Sequence, residues 1–147
     1  MGLLEQDAGA VTVVSRRLEQ AQEMVSSLRH HRPNVELRAL SLMDLDALRE
    51  VFGRTEVLLQ ATSATLGHTQ QARDFAAALP MERMRTEAAV VDLVYAPLET
   101  TVLARARELQ LKTVDGLGML VEQAALSFEA WMGCAPSLDV MRRAALA

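Results

Sequence analysis

The run Val114-Asp115-Gly116-Leu117-Gly118-Met119-Leu120-Val121-Glu122-Gln123-Ala124-Ala125 sets two glycines and one amide at the junction of a strand-like and a helix-like segment. From Gly116, which supplies a flexible link, Leu117, Leu120, Val121, Ala124, Phe128 and Trp131 recur at helical spacing and predict a buried face. Gln123 falls on its rim. About two turns into such a helix, an amide can hydrogen-bond a hydroxyl or carboxylate in a cleft while Leu120 and Ala124 stay packed. A solvated border glutamine satisfies the same spacing.

Three further clusters follow apolar runs. Ser15-Arg16-Arg17 comes after Val11-Thr12-Val13-Val14, where a dinucleotide-binding sheet selects its cofactor. An acidic residue there binds the ribose hydroxyls of NAD, whereas arginine favours a 2′-phosphate, so the pair points to NADP. A solvated basic pair is the alternative. Ala61-Thr62-Ser63 follows Val57-Leu58-Leu59-Gln60 and reads as a ligand-facing loop or a plain turn. Tyr95 follows Asp92-Leu93-Val94, and Pro97 marks a turn just beyond it.

Other chemistries find no spacing. His30 and His31 lie far from His68, and Cys134 has no nearby partner, so no metal set is expected. There is no G-x-S-x-G elbow and no Cys-His pattern. Lys112, the only lysine, is expected inside a strand, where an unpaired buried ammonium makes a poor proton donor.

The elements that must position these residues alternate throughout. Strands are expected over 11–14, 35–40, 57–59, 88–93 and 112–114, with helices over 18–28, 45–52, 70–78, from Thr100, over 119–133 and over 137–146. Residues 2 to 8 read as the tail of a further helix. Such alternation implies α/β class, an open parallel sheet covered on both faces. The G-x-G-x-x-G turn that opens a dinucleotide-binding half is missing, so the fold is expected to be an incomplete Rossmann-like, doubly wound sheet without its first strand and glycine-rich loop. In the order 3-2-1-4-5-6 that strand is the central one. Without it, the sheet either closes by pairing the Val11 strand with the Val57 strand or stays split.

At 147 residues, half of them apolar, the chain suits a single truncated domain over 1–147. A net charge of −4 without a basic stripe argues against nucleic acid, and no apolar run reaches the ~18 residues of a membrane span. The lone Cys134 fits a reducing cytoplasm.

The words DGLGMLVEQAA with Phe128, Trp131 and Gly133 after them, VVDLVYAPLETTVL, and QATSATLG stand in the order and spacing of the C-terminal half of shikimate dehydrogenases, which the chain resembles from about Leu3 onward. The resemblance implies NADPH-dependent reduction of 3-dehydroshikimate to shikimate in aromatic amino-acid biosynthesis. It further implies that Gln123 hydrogen-bonds the substrate's hydroxyls, that Tyr95 faces the substrate pocket, and that Met119 and Leu93 lie near the nicotinamide. Gly116 would offer its carbonyl to the nicotinamide amide. Arg16 matches the arginine that binds the 2′-phosphate and stacks on adenine, while Ser15 and Arg17 depart from the family's Asn-Arg-Thr. Ala61, Thr62 and Ser63 match a loop that approaches the cofactor ribose, with Gln60 replacing the family's asparagine. The catalytic lysine and aspartate of the family belong to an N-terminal substrate domain with no counterpart here, so this chain alone is expected to be inactive. Two alternatives stay open. One is a non-catalytic module that pairs with a separate N-terminal piece, or with itself, through the sheet edge left by the absent strand. The other is a quinate-type relative.

Overall fold

β-branched and apolar runs bounded by polar turns become the strands, and the computed structural model describes residues 8–31 and 34–147. The helix tail expected at the very start lies outside the described residues except for Ala8, which is not helical. The chain divides into two compact units, 1–54 and 55–147.

In the first unit, β1 (Ala10–Ser15) and β2 (Glu36–Ser41) pair in parallel, in register from Ala10 opposite Glu36 to Ser15 opposite Ser41. Parallel pairing needs a crossover, which α1 (Leu18–Arg29) supplies. Its face carries Ala21 and Val25 inward, and Val25 with Leu37 forms a small core against which Val11, Val13, Leu28, Val35 and Ala39 pack. After β2, the Asp44 carboxylate accepts from the Ala47 N–H at 3.1 Å and starts α2 (Leu45–Phe52), as its sequence position predicts.

The second unit is a three-stranded parallel sheet in the order β3 (Val57–Gln60), β4 (Ala89–Asp92), β5 (Lys112–Val114). Its helices are α3 (Gln70–Ala78), α4 (Thr101–Glu108), α5 (Leu117–Met132) and α6 (Leu138–Ala145). Thr69, Thr100 and Ser137 cap α3, α4 and α6 through their side-chain oxygens. Helices α3 and α4 meet through small residues, with Ala72, Ala76 and Ala106 buried, and the Thr101 hydroxyl donates to the Ala72 carbonyl at 2.9 Å. Two bonds end α4 in a Schellman arrangement: Gln110 N–H to the Arg107 carbonyl and Leu111 N–H to that of Ala106, both 2.9 Å. Gln110 stands at φ 59°, in the left-handed region.

Among the described residues β1 pairs only with β2, and β3 only with β4. The described strands thus form one two-stranded and one three-stranded parallel sheet. Parallel strands flanked by helices make the α/β, Rossmann-like architecture expected from the alternation.

Two burial expectations fail. Phe128 is 37% exposed and Trp131 81% exposed, although periodicity puts them on the buried face. That face is Leu117, Val121 and Ala125, and it ends there. Sixteen residues of helix run about 24 Å, while strands of three or four residues run only about 10–14 Å, so the second half of α5 outreaches the sheet. Lys112 is the second failure: it is exposed at the amino end of β5, not enclosed.

Candidate functional site

Every candidate residue lies at or just past the carboxyl end of a parallel strand, or on the first turns of the helix that follows. This is the edge at which open α/β sheets bind ligands.

In the first unit, Ser15 ends β1 and its hydroxyl accepts from the Arg17 N–H at 3.3 Å, which bends the chain into α1. Arg16 and Arg17 are exposed, and neither has an acidic partner among the described residues. Arg17 occupies the cap position of α1 with no side-chain acceptor, so free N–H groups stand beside two unpaired guanidiniums. Backbone donors and guanidiniums together suit a phosphate.

In the second unit, three strand ends lie side by side. Gln60, which ends β3, is only 5% exposed, and its amide is bonded throughout to the loop after it. Its Oε1 accepts from the N–H and the hydroxyl of Thr62, each at 3.1 Å, while Nε2 donates to the Thr62 carbonyl at 2.9 Å and to the Thr65 hydroxyl at 3.1 Å. A glutamine in place of asparagine therefore does not loosen the loop. Ala61, Thr62 and Ser63 are exposed along it.

Asp92 ends β4 and is fully buried with Thr100. Its carboxylate accepts from the Thr100 hydroxyl at 2.7 Å and from the Val94 N–H at 3.0 Å, while the Leu93 N–H donates to the Gln60 carbonyl at 2.9 Å. Leu93 emerges half-buried from this clamp, and Tyr95 is 49% exposed two residues on. Neither Asp92 nor Thr100 was singled out as a site residue. An aspartate closing an apolar strand eight residues before a helix-capping threonine was the available signal.

Past β5, the Asp115 carboxylate accepts from the Leu117 N–H at 3.0 Å and turns the chain into α5. Gly116 has φ −80° and ψ −5°, a conformation any residue adopts, so flexibility is not what it supplies. A Cβ built there would stand 2.5 Å from the Leu93 carbonyl oxygen and 2.9 Å from that of Val94. Gly116 is thus the point at which the β5 loop lies directly on the β4 loop. Its carbonyl accepts from the Leu120 N–H at 3.0 Å, which leaves one lone pair for a ligand. Met119 and Gln123 follow on the exposed side of α5, Met119 at 40% exposure. The described residues contain no cluster of three His, Cys, Asp or Glu suited to a metal ion, and no helix long and apolar enough to cross a membrane.

The family model described as the shikimate 5′-dehydrogenase C-terminal domain matches residues 116–146. A shikimate dehydrogenase (NADP(+)) of Rhodospirillum rubrum is 40% identical over 144 residues, which are 98% of this chain and 48% of that protein. The crystal structure of a Thermus thermophilus shikimate 5-dehydrogenase in complex with NADP(H) and shikimate superposes with a TM-score of 0.69 at 30% identity, over 97% of this chain and 47% of the other. A Corynebacterium glutamicum quinate dehydrogenase in complex with NAD shares the fold, with a TM-score of 0.76 at 23% identity over 96% of this chain and 47% of that one. The chain spans about half the length of the curated relatives it matches. The matched length and identity make the chain a relative of the shikimate dehydrogenases, corresponding to their C-terminal part.

Proposed function

We propose that residues 1–147, both units and the last two helices included, act as the NADP-binding part of a shikimate dehydrogenase that reduces 3-dehydroshikimate to shikimate in the cytoplasm. The observation that carries this reading is the backbone contact of Gly116 on Leu93, which binds the β5 loop to the β4 loop at the ligand edge of the sheet. The residues present fit the cofactor. Arg16 and Arg17, with the open start of α1, are donors without acceptors and suit the 2′-phosphate. Ser63 offers a hydroxyl, Leu93 and Met119 an apolar wall, and Gly116 a carbonyl. NADPH, when bound, supplies the hydride.

The substrate would be held by the Tyr95 hydroxyl and the Gln123 amide, which orient the carbonyl to be reduced. A proton must also reach the new alkoxide. Lys112 is the only lysine and stands at the amino end of β5, opposite to the ligand edge, so the donor must come from the family's N-terminal substrate domain. That second body, joined to this chain or separate from it, has apolar surface to cover on α5, where Leu126, Trp131 and Met132 are 63–81% exposed.

The test is titration of the 147-residue chain with NADPH and NADH. NADPH is expected to bind at least about tenfold more tightly, and Arg16→Ala to abolish the difference, since a charged hydrogen bond to phosphate contributes about 1.5–3 kcal/mol. Equal affinity for both nucleotides overturns the NADP reading. Oxidation of NADPH with 3-dehydroshikimate by the isolated chain overturns the assignment of proton transfer to a second body.

A further inference from the structure

The loop Ala61-Thr62-Ser63 offers two hydroxyls by sequence, but the structure leaves only one of them with a free proton. The Thr62 hydroxyl donates to Gln60 Oε1 at 3.1 Å and accepts from the Ala64 N–H at 3.2 Å. Its one proton is therefore committed within the loop. The hydroxyl of Ser63, one residue on and exposed, has no bonding partner among the described residues. What separates the two is the Gln60 side chain, whose two acceptor and two donor positions are all filled by Thr62 and Thr65. The Gln60 backbone is fixed in turn by its register opposite Asp92. An asparagine carries the same amide on a side chain one methylene shorter.

We propose that Gln60 is a positioning residue: its buried amide commits the Thr62 proton to the loop and presents Ser63 as the loop's one hydroxyl free to donate to a ribose of the cofactor. This rests on the NADP reading above. Gln60 touches no ligand; it acts through the loop.

Two measurements on the 147-residue chain decide it. Hydrogen exchange in the free protein reads the Gln60 clamp: the Thr62 amide is expected to be protected, to exchange about tenfold or more faster in Gln60→Leu, and to stay near the unsubstituted rate in Gln60→Asn. NADPH affinity reads its consequence. Ser63→Ala is expected to weaken binding about tenfold, Gln60→Leu by a similar factor, and the double variant no further than Gln60→Leu alone, because both changes remove the same contact. Gln60→Asn should bind within about threefold of the unsubstituted chain. Additive losses, unchanged affinity in Ser63→Ala, or unchanged Thr62 exchange in Gln60→Leu each overturn the proposal. If Gln60→Leu does not fold, Ser63→Ala and Gln60→Asn carry the test by the same criteria. Failure of the unsubstituted chain to bind NADPH overturns the cofactor reading and the role of Ser63 with it, while exchange still reports whether Gln60 holds the loop.

Discussion

Two glycines separated by one residue should respond to alanine with opposite signs. At Gly116 the added Cβ would stand 2.5 Å from the Leu93 carbonyl oxygen, 2.7 Å from its carbon and 2.9 Å from the Val94 oxygen. Against an ordinary C···O contact of about 3.3 Å, the closest approach is short by roughly 0.8 Å. No flexible side chain can yield, because all three obstacles are backbone, and the Leu93 N–H is tied to the Gln60 carbonyl at 2.9 Å. Overpacking of this kind costs about 1–3 kcal/mol, and the smaller unfolded-state entropy of alanine returns about 0.4–1 kcal/mol. Gly116→Ala should therefore lose about 1–2 kcal/mol, which lowers Tm by about 3–6 °C in a chain of this size. Gly118, within α5, has nothing within 4 Å of its Cβ position, so Gly118→Ala should gain about 0.5–1 kcal/mol from helix propensity alone. Urea and thermal unfolding followed by far-ultraviolet circular dichroism measure both. If Gly116→Ala matches the unsubstituted chain in stability, or both variants shift together, the β5 loop does not rest on the β4 loop and the site's central contact is lost.

Three further outcomes follow from single residues. Thr100→Val removes both a helix cap and one of two hydrogen bonds to the buried Asp92 carboxylate, and should cost about 2–3 kcal/mol in urea unfolding. Gln110→Gly relieves a left-handed residue at φ 59° and should raise stability by about 1 kcal/mol, seen as a higher unfolding midpoint with unchanged slope. Glu87 is held below its ordinary 4.5 by its own backbone N–H first and by Thr86 next, with smaller help from Arg85 and Lys112. A lowered folded-state pKa stabilises above the unfolded value and is lost as pH falls through the folded one, so Glu87→Gln should lower stability near about pH 7 and leave it unchanged near about pH 2 in parallel urea melts.

Local chemistry made most of the elements legible. Asp44 marked a helix start because its carboxylate accepts a first-turn N–H, and the helix over 70–78 and the strand over 112–114 form where the sequence places them. Periodicity misread α5, since spacing reports which residues share a face and not how far the surface opposite extends. Leu117, Val121 and Ala125 meet the sheet, and Trp131, further along the helix, does not. Lys112 was misjudged for a related reason: an edge strand of three residues has ends but hardly an interior.

The site was legible as a set of strand ends, while its mechanics were not. Sequence presents Gly116 as a flexible link and Gln60 as a departure from the family's asparagine, and the structure gives both another role: Gly116 is an absence that lets two loops touch, and Gln60 is the residue that holds its loop in place. Each role depends on atoms brought together by the β3-β4-β5 register, from positions more than twenty residues apart for Gly116 and Leu93. The same register joins the strand ends beneath the proposed site. Gln60, Asp92 and Gly116 tie three successive strand ends, so a ligand held, as proposed, by the exposed Ser63, Tyr95, Met119 and Gln123 would meet backbone already bonded within the fold, which lowers the ordering cost of binding.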